Sequence, residues 1–94
     1  MRVRVRVKSF AVLRQYVPAE TEVELREGST VRDLLDLLVK RAPGLAAELF
    51  DSNGDLKEYV NILRNGRNIH FIGGLTTPLG EGDLVALFPP AGGG

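Results

Sequence analysis

A strict two-residue alternation at the start of the chain restricts its fold more than any other feature. Val3, Val5 and Val7 alternate with Arg2, Arg4, Arg6 and Lys8. Successive side chains of a strand point to opposite faces, so this stretch predicts a strand with a β-branched face buried and a cationic face in water. Thr21 to Arg26 repeats the pattern, with Val23 and Leu25 on one side and Glu22, Glu24 and Arg26 on the other. Between the two, Phe10 to Tyr16 loses the alternation and suits a short helical turn, ended before Pro18. The strands can pair through this connection, which would set arginines across from glutamates. Opposite charges facing across a strand pair contribute about 0.2–1 kcal/mol each. The Arg2/Arg4/Arg6 stripe is therefore expected to be a solvated face neutralised by its neighbour, in preference to a nucleic-acid surface.

Gly28-Ser29-Thr30 predicts a turn into a helix, with Thr30 as cap and Asp33 completing a short capping box. Val31, Leu34, Leu35, Leu38, Val39 and Ala42 then form one apolar stripe at helical spacing, and Pro43-Gly44 ends it. Leu45 to Phe50 predicts one or two further helical turns, and Asp51 to Asp55 a loop. Tyr59 to Arg64 is a strand candidate. Asn65-Gly66 is a two-residue hairpin signal, with Arg67 to Ile72, including His70, as the returning partner. Gly73-Gly74 and Thr76-Thr77-Pro78 read as loop, and Gly80 to Asp83 as a tight turn. The final run, Leu84 to Phe88, is apolar on both sides, which predicts a central strand, parallel and adjacent to the first. The fold class is α+β: one mixed sheet of four to five strands packed on one main helix, with short extra helical turns.

The 94 residues are expected to form one domain. Twelve basic residues balance twelve acidic ones, which argues against a general nucleic-acid or membrane-surface role. With no cysteine there are no disulfides, thiolate metal sites or cysteine nucleophiles. No apolar run approaches the roughly 20 residues that span a bilayer. A cytoplasmic chain without nucleic-acid or membrane partners is the expectation. Catalytic constellations are missing. His70 is the only histidine and cannot make a zinc site alone. No serine has a nucleophile-elbow context. Gly80-Glu81-Gly82 lacks the lysine and spacing of a phosphate loop. No metal and no bound cofactor are expected. If this chain takes part in a reaction, it is a reactant, with the enzyme elsewhere.

The reactive group would be the end of the chain. Pro89 and Pro90 break further strand pairing and favour an extended path. Ala91, Gly92, Gly93 and Gly94 follow. Residues 1–88 are thus expected to be a folded body and residues 89–94 a flexible tail ending in diglycine. Six extended residues reach roughly 20 Å, far enough to put the carboxylate into another protein's active site. A carboxylate resists nucleophiles until joined to AMP at the expense of ATP, after which a sulfur donor or thiol can attack. Glycine suits such a channel because it carries no Cβ.

These features resemble the MoaD/ThiS sulfur carriers, which share the ubiquitin-like β-grasp fold. The likeness is greatest to the MoaD branch, the small subunits of molybdopterin synthase. It is carried by Phe10-Ala11-Val12-Leu13-Arg14, by Thr30-Val31-Arg32-Asp33-Leu34-Leu35, and above all by Pro78 through Gly94. The resemblance implies that Gly94 is adenylated by an E1-like (MoeB-like) enzyme using ATP and is then converted to a thiocarboxylate with a sulfur-donor enzyme. It further implies that a MoaE-like large subunit takes the tail, Gly92 and Gly93 included, into its active site. Phe10 and Phe88, with Pro89 and Pro90, match positions that dock partners. Some archaeal relatives attach to lysines through the same glycine, so a protein modifier is the alternative; a non-covalent β-grasp binding module is a weaker one. The chain departs from the family in its third terminal glycine and in a longer Pro43 to Lys57 segment.

Overall fold

The computed structural model describes residues 1–90. Strand β1 (Arg2–Ser9) pairs antiparallel with β2 (Glu20–Arg26), and the connection contains a 3-10 helix, Ala11–Gln15. Helix α1 (Val31–Arg41) and the short α2 (Leu45–Leu49) follow. Strands β3 (Asn61–Arg64) and β4 (Arg67–Asn68) form a hairpin, two 3-10 turns lead away from it, and β5 (Leu84–Phe88) ends the ordered elements. The sheet order is β2-β1-β5-β3-β4, with β1 and β5 parallel and the other pairs antiparallel. This is the expected β-grasp: the last strand lies in the centre, beside the first.

One face of the sheet packs on α1. Val3, Val5, Val7, Val23, Leu25, Ile62, Val85 and Leu87 from the strands meet Val31, Leu34, Leu35 and Leu38 from the helix, all buried. The helix starts where its capping box dictates. The Thr30 hydroxyl accepts from the Asp33 N–H at 3.3 Å, and the Asp33 carboxylate accepts from the Thr30 N–H at 2.9 Å. Such a cap stabilises a helix by about 1 kcal/mol. After α1, Gly44 is needed for space: a Cβ there would meet Cε1 of Tyr16 at 2.6 Å.

The Asn65-Gly66 hairpin forms as expected, with φ of 51° and 85° at the two turn residues. Its return strand is shorter than expected. The strand predicted over Arg67–Ile72 stops at Asn68. There the Asn68 side-chain oxygen accepts from the His70 N–H at 2.9 Å and starts the 3-10 turn Ile69–Phe71. An asparagine that bonds its own downstream backbone offers the chain an alternative to the ladder. Ile69 drops into the core, and His70 sits on an exposed turn instead of in a strand. Likewise Tyr59 and Val60 precede β3 without joining it.

The β1–β2 charge ladder is neutralised, but along diagonals. The register sets Arg4 opposite Glu24 and Arg6 opposite Glu22. The ion pairs are Arg2 with Glu24 at 3.5 Å and Arg6 with Glu20, while Arg4 reaches Glu81 of the last turn at 3.7 Å. Long side chains on a twisted sheet reach diagonal neighbours as readily as direct ones. The Arg6–Glu20 hydrogen bond raises the arginine pKa and lowers that of the glutamate. Among the described residues no helix is long and apolar enough to cross a membrane.

Candidate functional site

β5 runs through the middle of the sheet and delivers the chain to Pro89 and Pro90, so the candidate site is the place where it leaves. Ser9 at the end of β1 lies beside Leu87 in the parallel register, which brings the next residues, Phe10 and Phe88, together. Their rings stack with centroids 4.3 Å apart and planes 5° from parallel. Aromatic pairs of this kind add about 0.5–1.5 kcal/mol beyond the area they bury. Phe10, Phe88, Pro89 and Pro90 are all half-buried.

The backbone around Phe10 is held from below. The Ser9 hydroxyl is fully buried and donates to the carbonyls of Val17 at 2.7 Å and Pro18 at 3.0 Å. Immediately after Phe10, Ala11 takes φ 53° and turns the chain sharply into its 3-10 helix. The left-handed region costs an L-residue roughly 1–2 kcal/mol. Nothing in the sequence marked Ala11 for that conformation. Arg14, one turn on, donates from Nε to the Ser9 carbonyl at 2.9 Å, and its guanidinium lies 5.5 Å from the centre of the Phe10 ring.

The solvent face of the sheet continues this surface. Val85 and Leu87 point into the core, so Leu84, Ala86 and Phe88 point outward, and the register adds Leu63 of β3 beside Ala86. A half-buried apolar strip thus runs up the sheet to the tail root, bordered by the charges of β1 and β2. Leu63, Leu84 and Ala86 were not singled out from sequence, because a strand apolar on both sides does not reveal that one side stays open to solvent.

At the opposite end of β5, Asp83 is buried, at 8 % exposure. Its carboxylate accepts from the Gly80 N–H at 2.7 Å, Asn65 Nδ2 at 2.9 Å and Arg64 Nε at 3.0 Å. Burial pushes this carboxyl up. The Gly80, Asn65 and Arg64 hydrogen bonds and the guanidinium charge outweigh it and hold the group below its ordinary value.

A surface cleft of about 590 Å³ lies beside β3, lined by Leu56, Val60, Asn61, Ile69, Phe71 and Leu75 among others. Phe71 is 82 % exposed at its rim, with His70 edge-on at 5.2 Å. No group of three or more His, Cys, Asp or Glu side chains that could hold a metal occurs among the described residues. Gly92, Gly93 and Gly94 lie outside the described residues. The arrangement around Phe88 fixes the point at which the backbone leaves the sheet.

The sequence pattern of the ThiS family matches residues 7–94. Small archaeal modifier protein 3 of Haloferax volcanii is 36 % identical over 89 residues, covering 94 % of this chain and 96 % of its own. The sulfur carrier protein CysO of Mycobacterium tuberculosis is 32 % identical over 85 residues, covering 88 % and 90 %. Among solved structures, a putative molybdopterin converting factor subunit 1 from Pyrococcus furiosus superposes with a TM-score of 0.74 at 39 % identity, covering 95 % of this chain and 99 % of the other.

Proposed function

The chain belongs to the ThiS/MoaD family of ubiquitin-like sulfur carriers and modifiers, and from that premise we propose that its terminal carboxylate is the working group of a molybdopterin synthase. An E1-like enzyme joins the Gly94 carboxylate to AMP, releasing pyrophosphate from ATP. Hydrosulfide released by a sulfur-donor enzyme then attacks the acyl carbon. The carbon–oxygen bond to AMP breaks, AMP leaves with its electron pair, the S–H proton goes to solvent, and a thiocarboxylate remains. A MoaE-like large subunit takes in the tail, and the sulfur passes to a pterin precursor. Holding the reacting carbon in near-attack geometry is work for the partner's channel. The carrier supplies a tail of glycines and an anchored root. Because the first step consumes ATP, we place the protein in the cytoplasm.

The observation that carries this reading is the Phe10–Phe88 stack at the end of the central strand, directly before Pro89-Pro90 and the glycines. The likeness to the Pyrococcus converting-factor protein supports the molybdopterin assignment. A second reading, conjugation of Gly94 to protein lysines, is favoured by the likeness to small archaeal modifier protein 3. Both need the same activation, and they part at the acceptor. A non-covalent nucleic-acid module is disfavoured by the pairing of Arg2, Arg4 and Arg6 with carboxylates.

Intact-mass measurement after incubation with ATP, an E1-like enzyme and a sulfur source tests the proposal. The expected outcome is exchange of one oxygen for sulfur at Gly94, lost in a chain lacking Gly93-Gly94 whose melting temperature is unchanged. Absence of exchange counts against the carrier. Conjugates to cellular proteins that disappear with the same deletion, without any sulfur product, favour the modifier.

A further inference from the structure

Five arginines have a carboxylate beside them in this fold: Arg2, Arg4, Arg6, Arg32 and Arg64. Arg14, Arg26, Arg41 and Arg67 do not, among the described residues, and of these four Arg14 stands at the root of the tail. Its Nε is committed to the Ser9 carbonyl at 2.9 Å and its guanidinium carbon lies over the Phe10 ring, 5.5 Å from its centre, that ring being stacked on Phe88. The side chain is therefore held from two sides, while Nη1 and Nη2 make no hydrogen bond among the described residues. A long cationic side chain already ordered in the free protein loses less entropy on binding. The two terminal nitrogens of a guanidinium match the two oxygens of a carboxylate.

We propose that Arg14 receives a carboxylate side chain of the activating enzyme at the mouth of the channel that takes the tail. This rests on the reading of Gly94 as the activated group and adds a docking residue to it. The alternative anion, the nucleotide phosphate, is disfavoured by chain length. Six residues separate Phe88 from the acyl carbon, a span of up to roughly 20 Å. Arg14, beside Phe10 and through it Phe88, sits at the start of that span and the reacting phosphate at its far end. The contact is thus made to the partner's protein surface. It strengthens docking of the carrier before the tail reacts and leaves the chemical step untouched.

Steady-state activation with the sulfur source present, followed by pyrophosphate release over a range of carrier concentrations and at several salt concentrations, tests this with the full chain. For Arg14→Ala the expected result is a KM raised about tenfold with kcat unchanged, as for loss of a charge contact at an interface. Arg14→Glu raises KM further. Arg14→Lys, which keeps the charge and loses the fork, falls between. The salt dependence of KM becomes shallower in Arg14→Ala, an effect that mere loss of the Ser9 hydrogen bond does not produce. An unchanged KM in Arg14→Glu overturns the inference and leaves the reading of Gly94 standing. A fall in kcat with KM unchanged also overturns it, because it places Arg14 at the reacting end. A wild-type chain that is not adenylated at all overturns the underlying reading and this inference with it.

Discussion

The two ends of β5 solve opposite problems. Where the strand begins, the strong polar groups are answered within the chain. Asp83 collects donors from Gly80, Asn65 and Arg64, and Asn65 also clasps the backbone of Leu84 in both directions at 2.8 Å. Where the strand ends, two stacked rings, two prolines and a guanidinium face outward, half-buried or exposed. The first end locks the β3–β4 hairpin and the last turn into one register. The second leaves its apolar surface and its charge open to solvent. The carrier proposed above would use both, since a tail is best aimed from a fixed root.

Breaking the closed end is expected to have the largest effect on stability. Asp83→Ala leaves Arg64, Asn65 and the Gly80 N–H without their acceptor, and loss of one partner from a buried charged network costs about 2–3 kcal/mol. Urea titration measures it. The same carboxyl sets a pH dependence whose sign follows from its depressed pKa. Its contribution is full above the ordinary carboxylate value near 3.8 and is lost as the pH falls through the lower folded value. Asp83→Asn should therefore remove part of the acid-induced loss of stability. Parallel stability curves for the wild type and Asp83→Asn, from neutral pH down to about pH 2, would show that this network is not what locks the turn.

The closed end was partly legible in the sequence and the open end largely was, for different reasons. Local chemistry announces itself: Asn65-Gly66 turns, Thr30 and Asp33 cap, and Val3-Val5-Val7 alternate, each because one residue type suits one backbone geometry. Asp83 was visible only as a turn residue, since its partners lie 18 and 19 positions away and come to it through the fold. The truncated β4 was missed because Arg67 to Ile72 alternates acceptably as a strand, and only the Asn68 side chain, bonding forward to His70, diverts it. At the open end, Phe10 and Phe88 were named by resemblance alone; the structure brings the two rings together, through the parallel placement of the first and last strands that was also expected. The roles of Arg14 and Ala11 were not legible, since an exposed arginine and a left-handed alanine carry no pattern of their own.

The stacked rings offer the next largest effect and separate stability from function. Phe10→Ala, Phe88→Ala and the double variant form a thermodynamic cycle in which the coupling should be about 1 kcal/mol, within the range for aromatic pairs. Each single substitution should impair adenylation more than it impairs folding, whereas Asp83→Ala should act mainly on stability. If both losses scale together, the open end is as structural as the closed one and the contrast fails.

The smallest effect sharpens the comparison most, because it comes from the same turn. Glu81 lies two residues before Asp83 and also binds an arginine: its Oε2 is 3.7 Å from Arg4 Nε, and its Oε1 accepts from the Arg4 N–H at 2.9 Å. Both side chains of this pair are about 60 % exposed, at 62 % and 60 %. Water screens such a pair, and exposed ion pairs contribute only about 0–1 kcal/mol. Glu81→Gln keeps an oxygen for the Arg4 N–H and removes the charge, so the expected change is a few tenths of a kcal/mol, within the scatter of surface substitutions. Differential melting in low and high salt measures it, and the small wild-type advantage should shrink as salt rises. A large loss that shrinks as salt rises would mean that charge alone stiffens this turn. A small one leaves burial, which Asp83 has and Glu81 lacks, as what makes one carboxylate structural and the other merely a neighbour.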